Sequence, residues 1–491
     1  MQEIELDRQC DIPLQLQIFQ YYYQAITHGE CIAGDMLPSI RELSRRLKIA
    51  RITVTLAYEK LVANGYIKSR PGVGYHVCFS RPVKPVGRKI PYFKGPAPTS
   101  LVPAEVPVDL YSQPAAEVYC KMGIPDPNAF PWSSWRKWNN APSNLKEQLV
   151  TRYHSPQGLL SLRQEIVRYL RFSRGVDTQS ENIIITNGVQ EGLSLLSQLF
   201  VLNKLATKAA PCHVVTESPC YSGAWHIFNY HGATITAVNV DKHGLCVAQL
   251  PEHPTQLCYV TPSHQYPLGC RLSLSRRKAL LLWAQRVGAY VIEDDYDSAF
   301  SYEENPLPAL KTMDTQDRVI YAGTFSKTLG PGIRLGYLVC PDALLPAVKN
   351  MKGLSNSGSN WLLQQFLADF MHSQVFYTHL SKLACEYEVR QRVLFKGLQH
   401  LFPQGGIWGH YAGLHLTLMT SLSPEIIQQL RARCLLSAVR FDTLHELKNG
   451  SEEVWEGHNA ETAIFFGFGG LNATQLQKVL MVIEQELPFL T

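Results

Sequence analysis

Lys327 sits in Thr324-Phe325-Ser326-Lys327-Thr328-Leu329-Gly330-Pro331-Gly332-Ile333-Arg334, a run whose residue types combine into one chemistry. A lysine amine held in a pocket can form a Schiff base with an aldehyde. The hydroxyls of Thr324 and Ser326, just ahead of it, can hold a phosphate, and Arg334 can clamp the same phosphate with two parallel N–H donors. A lone lysine is usually a solvated charge; the whole pattern is far more specific.

A second group of candidates is the acidic run Glu293-Asp294-Asp295-Tyr296, which ends an apolar strand. Open α/β sheets bind ligands at such strand ends. A buried carboxylate facing a pyridine nitrogen keeps that nitrogen protonated and makes the ring an electron sink. Asp294 is the candidate for that task, with Tyr296 directed at a phenolic oxygen of the same ring. The competing reading, a metal site, finds no histidine or further carboxylate at suitable spacing around the run. Gly188, Val189 and Gln190, in Thr186-Asn187-Gly188-Val189-Gln190, form a strand-to-helix turn whose free amides suit a phosphate. Tyr221, in Glu217-Ser218-Pro219-Cys220-Tyr221, offers a ring that can stack on a pyridine, or simply a core tyrosine.

The elements that must position these groups fall into three regions. Residues 1–78 read as a small helical domain, 79–117 as a linker and 118–491 as a large α/β domain. The linker holds Pro82, Pro85, Pro91, Pro96, Pro98, Pro103, Pro107 and Pro114 and the bases Arg81, Lys84, Arg88, Lys89 and Lys94, which suits an extended connection. In the large domain short strands alternate with helices: 182–186, 213–216, 257–261, 290–292 and 319–322 are the predicted strands of a mostly parallel, doubly wound sheet. From about Asn360 a smaller C-terminal α/β lobe is expected, with a long helix near 379–401 and late strands near 414–418 and 464–468.

The N-terminal region predicts helices over 13–26, after Ser39, and over 51–64, followed by a hairpin around Pro71, Gly72 and Gly74. Ser39-Ile40-Arg41-Glu42 has the form of a capping box. Between Ser39 and Ser80 eight basic residues face two acidic ones, a footprint for a polyanion or else a solvated surface. Two helices joined by a short turn are the unit that enters a major groove, and Arg51, Thr53 and Thr55 open the second of them. Arg41 and Arg70 are candidate phosphate contacts, and Gly72 allows backbone to approach a duplex. The plainer alternative is a three-helix protein-interaction module.

These segments resemble the GntR type of winged helix over about Pro13 to Val77, except that Ala50 stands where a Ser or Thr usually caps the recognition helix. The resemblance implies Arg41 and Arg51 at phosphates or base edges and the wing near the minor groove. From about Gly123 onward the chain resembles the fold-type I aminotransferases. Three further segments fit: Tyr153 to Arg163, Thr261-Pro262-Ser263-His264-Gln265-Tyr266-Pro267-Leu268-Gly269, and Ala412-Gly413-Leu414-His415-Leu416. The implied cofactor is pyridoxal 5'-phosphate on Lys327, with Tyr153 supplied to the phosphate of a partner subunit. Two positions depart from the family. Tyr266 replaces the usual Asn at the ring oxygen, and the late strand Ile464-Phe465-Phe466-Gly467 lacks the Arg that commonly binds a substrate carboxylate, for which Arg440 is the candidate substitute.

The order winged helix, linker, aminotransferase-like domain resembles the MocR/GabR regulators of the GntR family. That resemblance implies a head-to-tail homodimer on a double-stranded DNA operator, with an amino compound or the cofactor itself as effector and at most partial or slow transamination. The alternatives are a working aminotransferase with an appended DNA-binding module and a cofactor-free regulator. A net charge of +5 excludes little. No leader-like or membrane-length apolar stretch is seen, and twelve scattered cysteines form no CxxC pair, so a cytoplasmic protein with reduced thiols is expected.

Overall fold

The computed structural model describes residues 12–78, 118–141, 144–202, 211–303, 307–444 and 462–490, together with 4, 6–8, 10 and 447. The expected linker therefore lies outside the described residues. The chain divides into two compact units, within Met1–Val102 and Pro103–Thr491.

In the first unit, helix α1 (Leu14–Thr27) is followed by strand β1 (Met36–Leu37), helices α2 (Ile40–Leu47) and α3 (Arg51–Ala63), and strands β2 (Ile67–Arg70) and β3 (Gly74–Val77). Ile18, Tyr22, Leu43, Val54, Ala57, Tyr58 and Leu61 close its core. Ser39 Oγ accepts from the Glu42 amide at 3.2 Å, so one arm of the anticipated capping box is made; the reciprocal arm is not. The wing is the antiparallel pair β2·β3, with β1 added on the far edge of β3.

The second unit begins with β4 (Val118–Tyr119) and centres on an eight-stranded sheet. Its strands are β5 (Ile183–Thr186), β6 (His213–Ser218), β7 (Thr234–Asp241), β8 (Gly244–Leu245), β9 (Leu257–Val260), β10 (Tyr290–Asp295), β11 (Val319–Thr324) and β12 (Gly336–Val339). The spatial order is β5-β12-β11-β10-β9-β6-β7-β8, with β12 and β8 antiparallel to their neighbours. Side chains alternate across the sheet as the pleat demands. Ile184, Ile292, Ile320 and Leu338 enter one apolar layer, while Ile183, Val291, Val319 and Val339 enter layers on the other side.

A second sheet, β13 (Gly406–Trp408), β14 (His415–Met419), β17 (Ala463–Gly467) and β16 (Asp442–Thr443), forms the smaller lobe, and β15 (Val439–Arg440) pairs in parallel with β4. Here the sequence expectation needs correcting. The lobe does not start at Asn360, because helix Trp361–His372 buries Phe366, Leu367 and Phe370 against helix Leu160–Arg174 beside the large sheet. Instead the lobe joins Val118, Cys120 and Ala129 to residues from Leu383 onward, so both ends of this unit build it.

All twelve cysteines are free thiols. Among the described residues no helix is long and apolar enough to cross a membrane.

Candidate functional site

In the first unit, α3 starts without a side-chain cap at Ala50, an omission that costs a helix about 1 kcal/mol. Arg41, Arg51 and Arg70 are exposed. Thr53 is half-buried, and Thr55 Oγ1 donates to the Arg51 carbonyl at 3.0 Å. Gly72 lies at the wing tip with φ +77°, a conformation that an L side chain adopts only under strain.

In the second unit, the parallel strands β5, β6, β9, β10 and β11 end on one cavity of about 270 Å³. Its lining includes Lys327, Asp294, Tyr296, Tyr221, Tyr266, Thr324, Ser326, Arg334, Val189 and Gln190. Lys327 follows β11 and is half-buried by surface, yet its amine end is enclosed. Burial lowers its pKa against the opposing pull of Asp297 and Asp294, and Nζ donates to the Gly123 carbonyl at 2.6 Å. Asp294 closes β10. Burial raises its carboxyl to about 7, although Tyr259 donates to Oδ2 at 2.7 Å and opposes the rise. The other oxygen, Oδ1, is buried without a partner.

The floor of the cavity is the turn between β5 and helix Val189–Ser197. Gly188 caps that helix at φ +82°, and a Cβ there would stand 2.7 Å from Arg334 Nη2. The guanidinium crosses this bare backbone to donate to the Asn187 carbonyl at 2.9 Å. From below, Glu191 Oε2 accepts from the Asn187 amide at 2.6 Å and from Lys352 Nζ at 2.7 Å. Lys352 is fully buried and also donates to Ser359 Oγ at 3.0 Å. Thr324 Oγ1 and Ser326 Oγ lie 3.0 Å apart on the lining, and Gln190 Nε2 donates to the Gly223 carbonyl.

Three tyrosines make the wall. Tyr266 lies edge-on to Tyr221 and to Tyr296, with ring centroids 6.0 Å apart in both pairs. Burial pushes the phenols of Tyr266 and Tyr296 above the ordinary range. Behind Tyr296 stands a group that motif spacing did not reveal. Tyr296 Oη is 3.2 Å from His264 Nδ1, which is 2.8 Å from Asp297 Oδ2, and the His415 ring lies 4.6 Å from that of His264. The expectation that the acidic run has no histidine partner is thus corrected at Asp297. The donor atoms of His264, Asp297 and His415 lie within 4.8 Å of one another. The backbone passes so close that a Cβ at Gly413 would overlap both Asp297 Oδ2 and the His264 ring, so the group reads as a packed, hydrogen-bonded support for Tyr296.

Two candidates are not brought to the cavity. Tyr153 is 91% exposed, and Arg440 stacks its guanidinium 4.6 Å over the Tyr119 ring, away from the lining. Conversely, Met122, Gly123, Tyr259 and Thr261 line the cavity without having been singled out. The strand bearing Tyr259 was legible; which of its residues faces the cavity depends on register.

The comparisons agree with this division of the chain. Residues 14–77 match the family described as bacterial regulatory proteins, gntR family, and residues 121–448 match aminotransferase class I and II. The chain is 30% identical over 96% of its length to YhdI, an uncharacterized HTH-type transcriptional regulator of Bacillus subtilis, covering 95% of that protein. It is 33% identical to the probable rhizopine catabolism regulatory protein MocR of Rhizobium meliloti, over 79% of this chain and 78% of that one. To the pyridoxine biosynthesis regulator PdxR of Corynebacterium glutamicum it is 31% identical, over 96% and 95%. Among solved structures, an α-aminoadipate aminotransferase of Thermus thermophilus, complexed with N-(5'-phosphopyridoxyl)-L-leucine, superposes with a TM-score of 0.65 at 22% identity, over 76% of this chain and 92% of that one. A kynurenine aminotransferase of Pyrococcus horikoshii gives 0.64 at 21% identity, over 75% and 91%. With a GntR-type winged helix ahead of an aminotransferase fold, and regulators of that same build as its relatives along most of its length, the chain belongs to the MocR/GabR type of GntR-family transcriptional regulators.

Proposed function

We propose that the chain is a DNA-binding regulator that holds pyridoxal 5'-phosphate on Lys327 and senses an amino compound, or the cofactor itself, in the aminotransferase-fold domain. The observation that carries this reading is the convergence of Lys327, the half-satisfied Asp294 and the Arg334–Gly188 turn on one cavity. The residues fit the group. A protonated ring nitrogen is the donor that Asp294 Oδ1 lacks, and the Thr324 and Ser326 hydroxyls, the Gly188–Gln190 amides and Arg334 together suit a phosphate. When bound, the cofactor supplies an aldehyde and an electron-withdrawing ring.

The protein's own groups then divide the work. Burial of Lys327 favours its neutral, nucleophilic amine, and the Gly123 carbonyl orients it. Asp294 holds a proton on its partner nitrogen, and Tyr296, propped by His264 and Asp297, presents its phenol to the ring oxygen. Tyr221 offers a stacking face. Tyr153, exposed here, reaches the phosphate of a partner subunit in a head-to-tail homodimer, and the residue roles in DNA binding follow Arg41, Arg51, Thr53, Thr55, Arg70 and Gly72.

Sensing is favoured over turnover by what stands around the amine. β17 carries no Arg, Arg440 is stacked on Tyr119, and Tyr266 occupies the place of an asparagine donor. Among the described residues, Arg334, already engaged at the Asn187 carbonyl, is the one arginine of the lining. An effector shifts DNA binding only through unequal affinity for two arrangements of the protein. The test is a spectral titration of the loaded protein with amines and amino acids, with operator binding followed in parallel. A visible band that responds to one class of amine while DNA affinity changes is expected; sustained multiple turnover with amino donors and keto acids would assign the chain to catalysis instead.

A further inference from the structure

The recognition helix α3 is apolar on two opposite faces, and only one of them has a core to meet. Val54, Ala57, Tyr58 and Leu61 are buried at 1% exposure or less and fix the inward face. At about 100° per residue, the positions directly opposite are Ile52 and Leu56, followed by Glu59 and Ala63. Ile52 is 62% exposed and Leu56 44% exposed. They lie one helical turn apart in the N-terminal half of α3, the part of such a helix that meets base edges.

The helix packed against α3 and the start of α3 itself carry an excess of exposed cations over the acids Glu42 and Glu59. Arg51 lies in the first turn of α3, and Arg41, Arg45, Arg46 and Lys48 stand exposed on and just beyond α2. None of these five makes an ion pair among the described residues. A hydrophobic ridge accompanied by unpaired cations fits a surface that is itself apolar within an anionic frame. In the major groove of DNA that surface is the 5-methyl group of thymine, which apolar side chains read, between phosphates that Arg and Lys neutralise.

We propose that Ile52 and Leu56 read thymine methyl groups and that they, more than Thr53 or Thr55, set the sequence preference of α3. The proposal rests on the DNA-binding reading of the first unit and goes beyond it by naming the recognised group.

The experiment uses the full chain and duplexes enriched by it from a random-sequence pool. Each thymine of an enriched duplex is replaced in turn by deoxyuridine, which removes one methyl and nothing else, and affinity is measured by fluorescence anisotropy at fixed salt. At one or two positions in each half-site the loss should be about three- to fivefold, the worth of one buried methyl. In Ile52→Ala or Leu56→Ala, both surface changes, the penalty at the matching position should vanish, while Arg51→Ala keeps it and lowers the salt slope. Salt-dependent binding with no deoxyuridine penalty anywhere overturns the proposal and leaves DNA binding standing. A penalty that survives in both alanine variants overturns it too, because the methyl is then read elsewhere. Variants with unchanged DNA affinity but an altered oligomeric state assign the ridge to a second copy of the chain. Failure to enrich any duplex overturns the proposal together with the reading beneath it.

Discussion

Tyr259 donates its phenolic proton to one oxygen of Asp294 at 2.7 Å, and the other oxygen is left buried with no donor. Half-satisfaction makes Asp294 a sensor of what sits opposite it. In the cofactor-free protein its pKa is raised to about 7 by burial, above the ordinary value of about 4. A raised folded-state pKa means that its contribution to stability is fully present below the unfolded value and is lost as pH rises through the folded one. Between about pH 4 and 7 the cofactor-free protein should therefore lose stability relative to Asp294→Asn, by on the order of 1 kcal/mol per pH unit at most. Glu217, also raised to about 7 chiefly by burial, titrates in both proteins, but Asp294 is among the charges that raise it, so its contribution cancels only in part. Urea denaturation at several pH values measures the gap; a gap that stays constant over the window rules out the raised carboxyl.

Lys327→Ala should abolish the visible absorbance gained on adding pyridoxal 5'-phosphate, because the amine is the nucleophile that the aldehyde needs. Thermal unfolding of the unloaded variant should change little, since the native amine makes a single backbone hydrogen bond. A retained band at full intensity would place the aldehyde on another lysine.

The Lys352–Glu191 pair supports the Asn187–Gly188 turn from beneath, with Lys352 fully buried. Lys352→Ala strands Glu191 under the Asn187 amide and should cost about 3 kcal/mol in urea denaturation, with weaker cofactor binding. Lys352→Met combined with Glu191→Gln should recover much of the stability. If the single change proves as mild as a surface substitution, the turn is held by Asn187 and Arg334 alone.

Arg51→Ala should weaken operator binding and reduce the dependence of log K on log salt by about one unit, without altering cofactor absorbance. Equal affinity at matched salt would remove α3 from the groove.

What was legible in the sequence was local. The Lys327 run, the acidic end of β10 and the Gly188 turn each lie within a few consecutive residues, and a strand end or turn is all that is needed to aim them. Parts assembled by crossovers were not legible. Gly123 reaches Lys327 from 204 residues earlier in the chain, and His264, Asp297 and His415 meet only because β9, β10 and β14 bring three separate chain segments together. Arg440 misled for a related reason: pairing of β15 with β4 sets it against Tyr119. On α3 the polar threonines drew attention, yet helix rotation, fixed by Val54 and Leu61, turns Ile52 outward instead.

The pairing of β4 with β15 also has a mechanical meaning. Val118, the first described residue after the linker, donates to the Ala438 carbonyl at 3.1 Å, and the Cys120 amide donates to Arg440 at 2.8 Å. The two parallel strands fasten the start of the second unit's described chain to residues 438–440 at two successive points. The entry of the second unit is thus fixed to the core of the smaller lobe, close in sequence to Gly123, the residue whose carbonyl holds the Lys327 amine.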